Sequence, residues 1–135
     1  MVRKAGLLFA GMAGLVIGLG GAVGQEADVD VHEIMHTVGG TKKEKGACFK
    51  CAAAGKAMKW DEAQKYAKEL AACGAAIGKN KCPKGDPKSW EKYTKRFAEQ
   101  TQAIAKAADA KDATAFNVAI GAFTKSCKEC HGVHK

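Results

Sequence analysis

The sequence predicts an all-α fold, an antiparallel up-and-down four-helix bundle. Three observations carry that expectation. Past a leading segment, alanine, lysine and glutamate are prominent, and Pro83 and Pro87 are the only prolines in 135 residues. No stretch shows the apolar–polar alternation of a strand. Turn signals divide the chain into four helical regions, and short connections favour antiparallel neighbours.

The leading segment stands apart. Arg3 and Lys4 precede a glycine-rich apolar run from Ala5 to Val23, and Ala22-Val23-Gly24 offers small residues to a signal peptidase. Residues 1–24 are expected to be a secretory signal; six glycines make the run a poor membrane span. A domain over 25–135 remains, with no membrane segment after cleavage. It keeps 20 Lys and Arg against 14 Asp and Glu, a charge of +6. The lysines are scattered and Arg96 is its one arginine, a pattern that argues against nucleic-acid binding. A solvated basic surface that steers an acidic partner fits better. Export places the chain in a periplasmic or equivalent compartment, where disulfides are permitted.

The first helical region begins near Val29, meets a break at Gly39-Gly40 and resumes near Lys45, running to about Met58. The second has Asp61 as a good N-cap, Gln64 as its capping-box partner, and Gly78 as the C-cap. A loop "KNKCPKG" follows. The third opens on Asp86-Pro87, an N-cap with proline at the first helical position, and carries Trp90, Tyr93, Phe97 and Ile104 as an apolar stripe to about Asp109. The fourth starts after Asp112. Its stripe of Phe116, Ile120, Phe123, Cys127 and Cys130 steps by four, three, four and three, the seam of a bundle helix.

The chemistry is concentrated in "SCKECHGVHK". Cys127, Cys130 and His131 form Cys-x-x-Cys-His, the attachment pattern of c-type haem. Residues at i, i+3 and i+4 share a helix face, so two thioethers can hold the haem edge while the His131 imidazole reaches iron. A disulfide redox pair would not need the histidine, and a zinc site would need further ligands in register. One covalent haem c is expected. No general base or nucleophile set stands out beside it, so the chain is not read as an enzyme.

This motif on the last helix of such a bundle resembles the class II cytochromes c, the cytochrome c′ and cytochrome c-556 group. The likeness spans the mature chain: Lys135 stands four residues after His131, where a basic residue is usual, and "KGDPKSW" is similar to the start of the third helix in bacterial relatives. The resemblance implies one haem per chain, His131 as proximal iron ligand and dimerisation through the first two helices, as a homo- or heterodimer. It implies two branches, one with a methionine of the first helix on the iron and one with an open sixth position that takes nitric oxide or carbon monoxide.

The cysteines depart from both branches. In an up-and-down bundle the end of the fourth helix lies level with residues 30–42, 76–84 and 87–95. Cys82 falls at that level among Lys79, Lys81 and Lys84, which favour the thiolate, the ligating form. Cys82-Pro83 also resembles the Cys-Pro element of haem-regulated proteins, and a His/Cys-ligated haem resembles the heterodimeric cytochromes of anammox bacteria. Cys82 is therefore a candidate distal ligand. Met35, in "EIMHTV", is the alternative; an empty position, His32 and His36 stay open, the two histidines reading better as an exposed face. Cys48 and Cys51 are expected toward the far end, with no histidine after Cys51 to make a second haem site. A Cys48–Cys73 disulfide is plausible across the first helix pair, with Cys51 as competitor.

The functional expectation is an exported monohaem cytochrome passing electrons to a redox partner protein. A thiolate opposite His131 would hold the potential low. The alternative is a carrier or sensor of nitric oxide or carbon monoxide.

Overall fold

The computed structural model describes residues 29–135; the expected signal over 1–24 lies outside them. The described chain forms five helices: α1 (Val31–Gly39), α2 (Ala47–Lys56), α3 (Trp60–Ile77), α4 (Pro87–Asp109) and α5 (Ala113–His134). The all-α expectation stands, but the four-helix bundle does not, because the first helical region is two helices.

Glycine geometry explains the division. Gly40 sits at φ +88°, in the left-handed region that favours glycine, and its N–H closes α1 by donating to His36 O at 2.7 Å. A Cβ on Gly40 would overlap the backbone of Glu44, Lys45 and Gly46, so the chain doubles back on itself here. Thr41 fastens the turn: its N–H donates to Glu44 O at 2.8 Å, and its hydroxyl accepts from the Lys43 and Glu44 amides. The turn starts α2 in a new direction instead of continuing α1.

The other boundaries follow local chemistry. Asp86 and Asp112 cap α4 and α5, accepting from Ser89 N and Ala115 N at 3.0 Å. The expected capping box on the second region is not formed. The N-cap of α3 is Lys59, without a side-chain bond, and Gln64 reaches across to donate to Ala108 O at 3.1 Å. Gly78 does cap α3, in ordinary helical geometry.

Helix α3 packs along α2 and α4, α4 along α5, and α2 also meets α5; the short α1 leans on α3 and α2. Ile34, Leu70, Ile77, Ile104, Phe116 and Phe123 are buried at the centre. Small residues let the helices approach closely: Ala63, Ala67 and Gly74 are buried along α3, and Gly55 of α2 faces the Phe116 ring. Asn80 joins one end of the molecule. Its side chain accepts from Val31 N and donates to Val29 O, and its carbonyl accepts from Trp90 Nε1, each at 3.0 Å.

Candidate functional site

The stripe on α5 is amphipathic in an unusual sense. Phe116 is buried in the core, Phe123 is buried and also borders a cavity of about 350 Å³, and Ile120, Cys127, Cys130 and His131 face that cavity. Its lining is almost wholly apolar. Phe97 of α4 meets Phe123 edge-on at 5.0 Å between ring centroids, which stiffens the wall beneath the cysteines. Met35 and Val38 come from α1, Cys48 and Phe49 from α2, Ile77 from α3.

One polar group in this wall lacks a partner. Gln100 donates through Nε2 to Ser126 Oγ at 2.8 Å and to Ala122 O at 3.3 Å, while its buried Oε1 has none. Buried polar atoms left unsatisfied are uncommon and call for an explanation. Here Gln100 lines the same cavity as Cys127 and Cys130.

Burial favours the protonated form of Cys48, Cys51, Cys73, Cys127 and Cys130. Burial pushes Cys127 up to about 11, with smaller contributions from nearby Cys48 and Cys130. Burial likewise raises Cys130, with Cys82 adding to it, and raises Cys48 and Cys73. Cys51 is fully buried, donates to Ala63 O at 3.5 Å and is pushed up to about 12, chiefly by desolvation. A thiol that stays protonated is less prone to stray oxidation, because the thiolate is the reactive form.

The structure brings Cys127, Cys130, His131 and Met35 to one cavity. It also brings Cys48 there, against the expectation that Cys48 lies toward the other end; the turn at Gly40–Gly46 redirects α2 so that its first turn meets α5. Cys82 is not in the cavity lining. Its sulfur lies 3.2 Å from Lys84 O, 3.7 Å from Gly85 O and 3.7 Å from His134 Nδ1. All six cysteines are free thiols in the structure, Cys48 and Cys73 included. His32 and His36 lie tilted against each other, ring centroids 4.5 Å apart, on the exposed face of α1.

Sequence reasoning overlooked His134 and Gln100. His134 is buried at 5% exposure although it lies in the last turn of a surface helix. The signal available was its spacing, three residues after His131, which puts both on neighbouring positions of one helix. For Gln100 the signal was a polar residue within the apolar register of the third region.

The donor set fits a covalent haem. Two thiols and an imidazole at i, i+3 and i+4 share one apolar wall, as two thioethers and an iron ligand would require. Among the described residues no cluster of three or more His, Cys, Asp or Glu is arranged to hold a bare metal ion, and no helix is long and apolar enough to cross a membrane. No curated protein and no solved structure matches the chain. Residues 85–135, which carry α4, α5 and the whole Cys-x-x-Cys-His motif, match the protein-family model described as Cytochrome C′.

Proposed function

We propose that this chain is a monohaem cytochrome of the c′ kind that binds a small gas, nitric oxide or carbon monoxide, as a carrier or sensor. It is a binding protein and not an enzyme. The observation that carries the reading is the convergence of Cys127, Cys130 and His131 on one apolar cavity, within the segment similar to the Cytochrome C′ model. Cys127 and Cys130 would hold the porphyrin as thioethers, and His131 would be the proximal ligand. Bound haem would supply an iron able to take a gas and a one-electron couple.

The protein's own part is shielding and selection. Ile120, Phe97 and Phe123 would give the porphyrin an apolar wall that keeps water from it, and a dry apolar surround favours an uncharged diatomic over a hydrated anion as iron ligand. Neither carbonyl-bound Cys82 nor the exposed His32 and His36 stands in that lining. The test is the ferric and ferrous spectrum of the exported protein with and without carbon monoxide. A high-spin ferric spectrum and carbon monoxide binding without a slow ligand-loss phase support the reading; a low-spin thiolate spectrum unresponsive to gas contradicts it.

A second reading has one observation in its favour. Met35 lines the cavity, and a methionine on the iron would make the chain an electron carrier. A near-infrared methionine-to-iron band that disappears in Met35→Ala would select it. In both readings export through residues 1–24 delivers the chain to a periplasmic or equivalent compartment. Pairing through the first two helical regions, which are α1 with α2, and α3, is consistent with Phe49, 59% exposed on α2. The +6 domain would favour an acidic redox partner.

A further inference from the structure

His131 sits in the final turn of α5, which ends at His134. Helix ends leave carbonyls unpaired and fray, so a ligand placed there needs something to hold the turn. A proximal histidine on a fraying turn would sample several orientations and several iron–nitrogen bond strengths.

The structure supplies a clasp, and its centre is His134. Its Nδ1 lies 2.6 Å from Lys84 O and 3.7 Å from the Cys82 sulfur. Its Nε2 lies 3.0 Å from Ser89 Oγ. The Lys84 carbonyl can only accept, so Nδ1 carries the proton and donates; in the neutral ring Nε2 then accepts from the Ser89 hydroxyl. Trp90 and Tyr93 meet the ring edge-on at 5.5 and 5.7 Å. Every side of the imidazole is therefore occupied, which is how a polar ring comes to be buried.

The partners lie on elements other than α5. Lys84 and Cys82 belong to the loop after α3, and Ser89, Trp90 and Tyr93 to the first turns of α4. Gly85, at φ +89°, lets that loop press against the ring: a Cβ there would stand 3.2 Å from Nδ1. Trp90 in turn donates to Asn80, which holds the start of α1. Tyr93 touches His134 and also lines the cavity that His131 faces. Lys84 Nζ, 3.3 Å from Lys135 O, adds a weaker tie.

We propose that His134 is the positioning residue for His131: it locks the last turn of α5 onto the loop over 78–86 and the start of α4, fixing one orientation of the proximal imidazole. The inference rests on the haem reading given above. It also gives Cys82 a place, as part of the packing around the clasp.

The test uses the full haem-bearing chain and the variants His134→Ala, His134→Asn and Ser89→Ala. The readout is the iron–histidine stretching band recorded directly after photolysis of the ferrous carbonyl complex, together with amide exchange of residues 130–135. The parent should give a single band. His134→Ala should shift or divide it. His134→Asn, whose amide can still donate to Lys84 O, should bring back the single band, and Ser89→Ala should produce a smaller shift in the same direction. Should His134→Ala fail to accumulate, Ser89→Ala decides on the same band. A band unmoved in the variants, while the terminal amides exchange faster, would show that His134 is only structural and overturn the proposal alone. A parent without haem would remove the reading beneath it as well.

Discussion

Replacing Phe123 by alanine tests the wall that the haem reading requires. Phe123 is fully buried, pairs edge-on with Phe97 and lines the cavity. Truncating a buried phenylalanine costs about 3–5 kcal/mol, and the aromatic pair accounts for about 0.5–1.5 of that. The ring is wholly buried and packed on Phe97, so the low end of the range, about 3 kcal/mol, is the least expected. For a domain of this size that is roughly 12 °C or more in Tm, since each kcal/mol moves a small domain by about 4–8 °C. The assay is urea and thermal unfolding of the haem-bearing protein, beside Phe123→Leu, which should lose about 1.5 kcal/mol or less. A loss under about 1 kcal/mol for the alanine variant, with an unchanged m value, would mean that Phe123 does not support the α4–α5 wall.

Other outcomes follow from the same geometry. Cys82→Ala should leave the haem spectrum in place, because Cys82 does not line the cavity; loss of a thiolate signature would restore it as a ligand. Gly40→Ala should destabilise the protein by about 1–3 kcal/mol in a denaturant titration, because φ +88° and the crowding by Glu44 and Gly46 leave no room for a side chain. Asp112→Ala should cost about 1 kcal/mol through the lost cap on Ala115 N, and Asp112→Asn much less. Burial raises Cys51 from an ordinary 9.0 to about 12, so the folded state holds that proton more tightly than the unfolded chain. Its contribution is complete below the ordinary value and is lost as pH rises toward 12. Cys51 alone should therefore add a downward slope of up to about 1.4 kcal/mol per pH unit to parent stability between about pH 9 and pH 10.5, and Cys51→Ala should reduce the slope by that share, leaving what the raised Cys48 and Cys73 contribute. Equal slopes in the two proteins would contradict the burial argument.

Residues whose role is local were legible in the sequence. Asp86-Pro87 and Asp112 declared the starts of two helices because a cap acts within three residues. Cys127, Cys130 and His131 could be placed together because i, i+3, i+4 spacing fixes a shared face, and they do line one cavity. Residues whose role depends on direction were not. Gly39-Gly40 announced a break, but a break in a pattern does not state the new heading; Gly40 and Gly46 turn α2 so that Cys48 reaches the cavity. Gln64 satisfied a capping-box pattern and found a better acceptor 44 residues away at Ala108. Cys82 lies level with the end of α5, beside His134, but level along the molecule does not state which groups a side chain in an irregular loop meets, here the Lys84 carbonyl. His134 was invisible for the same reason, since its partners come from a loop and a neighbouring helix.

The most direct measurement is the intact mass and absorbance of the protein purified from an exporting host able to attach haem. The account expects a coloured protein carrying one haem, with both Cys127 and Cys130 unavailable to alkylation and the other four cysteines alkylated after unfolding in reductant. A colourless protein at the bare mass of the polypeptide, with all six thiols open to the reagent, would contradict it.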